Sequence, residues 1–327
     1  MNILSLFDGI SCGRVALERA EIPVMNYYAS EVDKYAIQVS RKNWPDIIQL
    51  GDVTQWESWD LPKIDMILAG SPCQGFSFAG KQLAFDDPRS KLFFVFVNIL
   101  KALQPHYFLL ENVKMKKEFQ DVISQALGVE PIEINSALVS AQNRKRLYWT
   151  NIQGIEQPED KGILLRDIVF DDALWQENGF AVSMHNLYGG FGETKHRAFT
   201  EKAPTLRTAA GVGHVPSLLL SDAALEYMNR KTADGRNHWD FDHHSDVRNP
   251  KSAAVVANFF KGVPYNVLKD WNCIRKFDPV ECERLQTLPN NYTEGISNTQ
   301  RYKCLGNAWT VDVIEHILKG INNNEQF

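Results

Sequence analysis

The first 150 residues repeat one pattern, in which a short apolar run ends at a polar turn and a helical pattern follows. The apolar runs predict strands at 3–7, 27–30, 47–50, 64–69 and 107–110. The segments between them predict helices at 13–20, 33–43 and 91–103. Because strand–helix–strand units cross over in a right-handed sense, the pattern predicts an α/β fold with a doubly wound, mostly parallel sheet.

Composition narrows the class of protein. The 327 residues are 44% hydrophobic and 23% charged, which is typical of a globular protein and excludes a disordered or collagenous chain. The five cysteines lack C-x-x-C spacing, so neither a disulfide framework nor a structural zinc site is predicted. The N-terminus does not resemble a signal peptide, and no apolar run approaches the roughly 20 residues of a membrane span. We expect a soluble protein of a reducing compartment.

A reactive or charged residue follows each of five predicted strands. These residues are Asp8, Glu31, Asp52, Cys73 and Glu111. In doubly wound sheets, ligands bind beyond the carboxyl ends of the strands, where these side chains would meet. One such residue could simply mark the start of a loop, but five at the same edge indicate a site.

The turn after the first strand, from Phe7 to Gly13, is rich in glycine but lacks the G-x-G-x-x-G spacing of a pyrophosphate loop. Asp8 would repel a phosphate there. Glu31 could accept both hydroxyls of a ribose, and Asp52 could accept from an adenine amino group. These acids favour S-adenosylmethionine, which carries an adenosine and a positive centre without phosphate. A plain tight turn with helix-capping acids is the alternative.

Cys73 lies in a glycine-bounded loop between Pro72 and Gln74. Most free cysteines are buried apolar residues, but a nucleophilic thiolate needs partial exposure and nearby positive charge. Arg144 and Arg146 are candidates to supply that charge.

The second half of the chain is less regular. We predict a catalytic and cofactor-binding domain at 1–171, a smaller irregular domain at 172–270, and a return to the first domain at 271–327, with helices at 278–288 and 311–319. Residues 195–276 carry 13 Lys and Arg against 8 Asp and Glu, in a chain of net charge −5. This local positive charge is a weak indication of a polyanionic partner. His238, His243 and His244 show no recognised ligand spacing, so no metal site is predicted.

Five motifs occur in the order found in the DNA (cytosine-5)-methyltransferases, which the chain therefore resembles. They are Ser71-Pro72-Cys73-Gln74, Glu111-Asn112-Val113, the Q-x-R-x-R of 142–146, the run 281–289 and Leu305-Gly306-Asn307-Ala308. Residues 4–10, 29–32 and 291–293, with Trp309, look most like the eukaryotic de novo enzymes and their phage or bacterial relatives. Ser11 and Cys12 replace two glycines common in the family, and Trp309 replaces a small aliphatic residue.

The resemblance implies a methyltransferase fold that carries a recognition domain. It also implies transfer of a methyl group from S-adenosylmethionine to C5 of a flipped cytosine in a specific DNA sequence, through a covalent bond between Cys73 and C6. Phe7 would stack on the adenine, Glu31 would hold the ribose, and Asp52 would bind the adenine amino group. The implied cofactor residues are Phe7, Gly9, Ile10, Glu31, Asp52, Val53, Pro72, Asn307, Ala308 and Trp309.

The resemblance also implies roles at the base. Cys73 would be the nucleophile, Glu111 would contact N3 and N4 of the cytosine, and Arg146 would reach its O2. Arg144 would position Glu111 or bind a phosphate. The implied substrate-binding residues are Asn112, which would brace its loop, and Gln142. Arg207, one of several arginines in the positive segment 195–276, is a further candidate that could pair with a guanine or contact a phosphate. Ala203-Pro204-Thr205-Leu206 is the better of two candidates for the start of the recognition region.

The expected partner is double-stranded DNA in the cytoplasm of a bacterial or phage-infected cell, with a cognate restriction endonuclease as a possible second partner and no membrane. One alternative is a tRNA cytosine-5 methyltransferase, although the Cys-Phe-Thr segment of those relatives is absent. A second alternative is an inactive partner that only binds DNA, which the intact Cys73, Glu111 and arginines argue against.

Overall fold

The computed structural model describes residues 1–71, 91–168, 170 and 274–324, and the backbone of six short strands between residues 175 and 219. Pro72, Cys73 and Arg207 lie outside the described residues. Within the described part of the chain, no helix combines the length and the apolar character needed to cross a bilayer.

Strands and helices alternate up to residue 127 in the described part of the chain. The helix Lys117–Leu127 and the strands Ile132–Asn135 and Lys145–Thr150 are elements that the sequence pattern does not predict. The strands before residue 151 are β1 (Asn2–Leu6), β2 (Asn26–Ser30), β3 (Ile48–Gln49), β4 (Met66–Ala69), β5 (Tyr107–Val113), β6 (Ile132–Asn135), β7 (Gln142–Asn143) and β8 (Lys145–Thr150). The described helices are α1 (Cys12–Arg19), α2 (Lys34–Asn43), α3 (Lys91–Leu103), α4 (Lys117–Leu127), α5 (Pro279–Leu285), α6 (Asn298–Asn307) and α7 (Val311–Asn324).

The main sheet has the strand order β3-β2-β1-β4-β5-β8-β6. Strands β1 to β5 pair in parallel, whereas β8 runs antiparallel to both of its neighbours. The predicted α/β class with a doubly wound, mostly parallel sheet is confirmed. The direction of winding reverses between β1 and β4, and open α/β sheets bind their ligands at such a switch point.

The two faces of the sheet carry separate apolar clusters because successive side chains of a strand point in opposite directions. In β1, Ile3 packs with α1, α2 and the C-terminal helices. Leu4 and Leu6 pack on the other face with α3 and α4. All three side chains are fully buried, so the sheet is covered on both sides.

The C-terminal helices pack on the N-terminal ones. Helix α7 lies against α1, where Arg19 Nη1 is 2.6 Å from Asp312 Oδ1. Helix α6 lies near α2, and Lys303 Nζ is 2.5 Å from Asp33 Oδ2. Residues 279–324 therefore share the core of the first 150 residues.

Seven short strands are described between residues 175 and 276. They are β9 (Trp175–Gln176), β10 (Gly179–Phe180), β11 (Val182–Ser183), β12 (Ala198–Phe199), β13 (Ala203–Pro204), β14 (Ser217–Leu219) and β15 (Ile274–Lys276). Four of them form an antiparallel sheet in the order β12-β11-β14-β15. Strand β13 pairs in parallel with β7, so the backbone of Ala203 and Pro204 lies beside Gln142 and Asn143.

A buried carboxylate anchors the loop between α5 and α6. Glu283 is fully buried, and its Oε1 lies 2.9 Å from Arg301 Nη2. The same oxygen accepts hydrogen bonds from the backbone and the hydroxyl of Thr293, and Oε2 accepts from the backbone of Asn291 at 2.6 Å. A buried charge of this kind is tolerated only because every side of it is paired.

We therefore expect Glu283→Ala to lower the free energy of unfolding by about 3 to 5 kcal/mol, because it leaves Arg301 and two backbone donors without their acceptor. Glu283→Gln should lose less, since it keeps one acceptor oxygen. As a control, Asp121→Ala removes an exposed ion pair to Lys117 and should leave stability almost unchanged, because solvent screens such pairs. Urea unfolding curves measure all three, and equal losses for the Ala variants would contradict the role of Glu283.

Candidate active site at the carboxyl edge of the sheet

The turn between β1 and α1 has a left-handed backbone at alternate residues. Phe7, Gly9 and Ser11 have φ values of 58°, 61° and 63°. Non-glycine residues rarely adopt this conformation unless neighbouring contacts enforce it. Those contacts come from Asp8, which accepts from Ser11 Oγ at 2.5 Å and from the Tyr27 hydroxyl at 2.7 Å.

Asp8 supports the turn from the inside. Each of its carboxylate oxygens accepts a hydrogen bond from a hydroxyl of the protein, so Asp8 stabilises the conformation of the turn. Burial raises the pKa of Asp8 to about 6, and the hydrogen bonds from Ser11, Ser5 and Tyr27 offset only part of that rise. The acid therefore takes up a proton more readily in the folded protein than in the unfolded chain.

Glu31, at the end of β2, joins this turn to the neighbouring strand. Its Oε2 accepts from the backbone of Gly9 at 2.8 Å, and its Oε1 accepts from the backbone of Val32 at 2.7 Å and Asp33 at 2.8 Å. A carboxylate has about four lone-pair sites, so one remains for a ligand hydroxyl.

Val32 and Asp52 lie with Glu31 at the carboxyl edge of the sheet. Val32 is apolar, yet its side chain is 71% exposed. The sequence did not predict it as a cofactor residue, although it directly follows the acid at the end of β2. Asp52 is exposed and accepts from the backbone of Thr54 at 2.9 Å, at the start of a 3-10 helix in which Val53 is buried. Anionic acceptors beside an exposed apolar side chain fit an adenosine and a positive sulfur centre.

Glu111, near the end of β5, lies at the centre of a second group. Its Oε1 is 3.0 Å from Arg146 Nε, and its Oε2 accepts from Trp309 Nε1 at 3.2 Å. The register of β5 and β8 pairs Glu111 with Tyr148 and Val113 with Arg146. Glu111 and Arg146 are therefore diagonal neighbours on one face of the sheet, where long side chains can meet.

Asn112 points to the opposite face and is 2% exposed. Its Nδ2 donates to Ser71 Oγ at 3.2 Å. Ser71 is two residues before Cys73 in the sequence, so this hydrogen bond fixes the start of the segment that carries the predicted nucleophile.

Arg144 and Gln142 lie inside the protein, at 3% and 0% exposure. Arg144 Nη2 donates to the carbonyls of Ala308 at 2.9 Å and Gly306 at 3.4 Å, and Gln142 Nε2 donates to the carbonyl of Leu285 at 3.0 Å. Burial, with a contribution from nearby Arg146, lowers the pKa of Arg144 to about 9. These two side chains connect the Q-x-R-x-R motif to the C-terminal segment.

Of the remaining residues predicted to bind the cofactor, some are exposed and others are buried in the core. Asn307 is exposed and Ala308 is buried, while the Trp309 ring lies against Gly13 and Gly70. Ile10 is 1% exposed, so its side chain belongs to the core, and its carbonyl accepts from the Tyr292 hydroxyl at 2.8 Å. The structure thus groups Gly9 with Glu31, and Glu111 with Arg146 and Trp309.

A family model described as C-5 cytosine-specific DNA methylase matches residues 1–323. The chain belongs to this family. It is 30% identical to the type II methyltransferase M1.ScrFI of Lactococcus lactis subsp. cremoris, over 97% of this chain and 76% of that protein. It is 29% identical to the type II methyltransferase M.NlaX of Neisseria lactamica, over 97% of this chain and 94% of that protein.

A solved structure shares the fold. The crystal structure of a Spodoptera frugiperda DNMT2 mutant has a TM-score of 0.60 and 20% identity to this chain, and the match covers 98% of this chain and 99% of that one. The predicted methyltransferase fold and family are therefore confirmed. The protein is a DNA (cytosine-5)-methyltransferase, and enzymes of this family use S-adenosylmethionine as methyl donor.

The raised pKa of Asp8 predicts a pH-dependent stability. Because the folded pKa of about 6 exceeds the ordinary aspartate value of 3.8, this group stabilises the folded methylase at low pH, and that contribution is lost as the pH rises through about 6. Between about pH 5 and pH 7.5, Asp8 should account for a loss of about 1 to 2 kcal/mol in unfolding free energy.

Asp8→Asn should remove this component, whereas Asp46→Asn, at an exposed position, should keep it. Urea unfolding at both pH values measures the difference. Parallel pH dependences for the wild type and Asp8→Asn would contradict the assignment.

Proposed function

We propose that Cys73 adds to C6 of a cytosine flipped out of a specific double-stranded DNA sequence, while Glu111 contacts N3 and N4 and Arg146 reaches O2. One observation carries the proposal. The carboxylate of Glu111 is held against Arg146 at the carboxyl edge of the sheet, and the adjacent Asn112 binds Ser71 at the start of the Cys73 segment. A flipped base is needed because none of these atoms can be reached inside a duplex.

C5 of cytosine is a weak nucleophile, and the proposed residues activate it. The Cys73 thiolate forms a bond to C6, which moves ring electrons towards C5 and N3, and Glu111 stabilises the charge that develops at N3. S-adenosylmethionine, when bound, would supply an electrophilic methyl group on a positive sulfur. As C5 bonds to this methyl carbon, the bond from the methyl carbon to sulfur would break and the sulfur would leave as a neutral thioether. Loss of the C5 proton to solvent or a nearby base re-forms the C5–C6 double bond and breaks the Cys73–C6 bond, which restores the aromatic ring and releases Cys73 as its thiolate.

For the cofactor, we propose that the remaining lone pair of Glu31 accepts from the ribose and that Asp52 accepts from the adenine amino group. Phe7 and the exposed Val32 would flank the adenine. The other residues proposed to line the pocket are Gly9, Val53, Pro72, Asn307, Ala308 and Trp309, with Ile10 contributing through its backbone. Arg144 would act by holding the 306–308 segment, because its buried guanidinium binds two carbonyls there.

For the DNA sequence, we propose that the segment 172–270 reads base edges. Its positive stretch includes Arg207, which could pair with a guanine in a bidentate manner. Arg207 follows β13 by three residues, and β13 pairs with β7 next to Gln142. Because both relatives above are named type II methyltransferases, a cognate restriction endonuclease in the same cytoplasm is the proposed biological partner.

We expect Cys73→Ser to abolish methyl transfer, because a hydroxyl is too weakly acidic to replace the thiolate near neutral pH. Transfer of labelled methyl groups to duplex DNA and to tRNA is the measurement, with duplex DNA the expected acceptor. DNA carrying 5-fluorocytosine should trap a covalent complex with the wild type and none with the variant. Cys304→Ser, at a buried position in α6, is the matched control and should stay active.

A Cys73→Ser enzyme that methylates at a near-native rate would exclude the covalent mechanism. Methylation of tRNA in preference to DNA would favour the alternative substrate.

Glu31→Ala and Asp52→Ala should each weaken binding of S-adenosylmethionine about ten- to hundredfold, because each removes a charged hydrogen-bond acceptor. Equilibrium titration with the cofactor measures the effect. Asp60→Ala, at an exposed position outside the proposed pocket, should bind normally. Unchanged affinity in both site variants would mean that the cofactor binds elsewhere.

A further inference from the structure

Trp309 contacts the carboxylate that faces the base. Its indole Nε1 donates to Glu111 Oε2 at 3.2 Å, while Arg146 Nε lies 3.0 Å from Oε1. Glutamate has three rotatable side-chain bonds, so an unheld carboxylate would sample several orientations. With one partner on each oxygen, both the position and the plane of the Glu111 carboxylate are fixed.

The indole occupies a space that Gly70 leaves open, and its other edge lies against Gly13. A Cβ atom at Gly70 would lie 2.9 Å from Trp309 Nε1 and 3.2 Å from Cζ2, and one at Gly13 would lie 3.5 Å from Cζ3. Gly13 belongs to α1, which follows the cofactor turn. Gly70 follows β4 and is three residues before Cys73. The ring therefore lies between the first turn of α1 and the residue that follows β4.

The backbone around Trp309 is anchored independently of Glu111. The preceding carbonyl, that of Ala308, accepts from Arg144 Nη2 at 2.9 Å and from Gln286 Nε2 at 3.4 Å. The indole N–H is thus presented to Glu111 from a fixed support, and little entropy is lost when the hydrogen bond forms.

We propose that Trp309 is a positioning residue for methyl transfer. Its N–H holds the Glu111 carboxylate in the orientation that meets N3 and N4 of the flipped cytosine, in addition to any contact that the ring makes with the cofactor. The proposal rests on the proposed role of Glu111. Hydrogen bonds to a charged acceptor are among the stronger ones in proteins, so the loss of this one should be measurable in the rate.

Trp309→Phe tests the proposal, because it keeps an aromatic ring against Gly13 and Gly70 but lacks the N–H. At saturating cofactor and DNA, the single-turnover rate of methyl transfer should fall about tenfold, while the dissociation constant of S-adenosylmethionine stays within about twofold. Trp149→Phe is the matched control. It loses an indole hydrogen bond of 3.0 Å to Ser124 on the α4 side of the sheet, and its rate should stay near the wild-type value.

A second measurement places Trp309→Phe in a Glu111→Gln background and follows covalent trapping on 5-fluorocytosine DNA. If Trp309 acts through the carboxylate, its substitution should cost less than about twofold there. A full tenfold further loss would overturn the proposal. So would an unchanged single-turnover rate in Trp309→Phe, or a loss of activity that saturating cofactor restores. Failure of the proposed covalent mechanism would appear separately, as an active Cys73→Ser enzyme or as a wild type that 5-fluorocytosine DNA does not trap.

Discussion

The carboxylate of Glu111 is an almost buried charge at the open edge of a sheet, and such a charge needs partners from several directions. Arg146 comes from β8 and Trp309 from the segment between α6 and α7. The antiparallel strand and the returning C-terminal segment are therefore part of the proposed active site. If either element were displaced, the carboxylate would lose one of its two partners.

Buried polar networks hold that C-terminal segment in place. Gln286 donates to the carbonyl of Leu305 at 2.7 Å and accepts from Thr310 Oγ1 at 3.0 Å, and Arg144 binds the carbonyls of Gly306 and Ala308. Glu283 fixes the loop between α5 and α6 in the same manner. A shift of this segment would leave buried polar groups without hydrogen-bond partners, which costs free energy. These networks therefore fix the segment in one position.

Hydrogen bonds between the ends of neighbouring strands connect the proposed cofactor site to the proposed base site. Glu31 joins β2 to the turn after β1 by accepting from Gly9, while Asn112 joins β5 to the end of β4 by donating to Ser71. Trp309 lies between these pairs, against Gly13 and Gly70. Each connection links neighbouring strands at their carboxyl ends, so the proposed cofactor and base sites share one rigid support. This shared support suits a reaction in which a methyl donor and a ring carbon must meet at bonding distance.

The sequence by itself determined the alternation of β1 to β5 with their helices, the positions of Glu31 and Asp52 after their strands, and the family. It placed Glu111 after a strand at 107–110, whereas β5 continues to Val113 and contains Glu111. Periodicity and turn residues report whether a short segment is buried on one side, and that information is local. Only the tertiary structure decided that β8 runs antiparallel beside β5 and that Asp8 turns inward. The same holds for the core position of Ile10, the buried carbonyl contacts of Arg144 and the donation from Trp309 to Glu111. Each of these depends on residues distant in the chain, whose partners are selected by the packing of the whole fold and the need to pair buried polar groups.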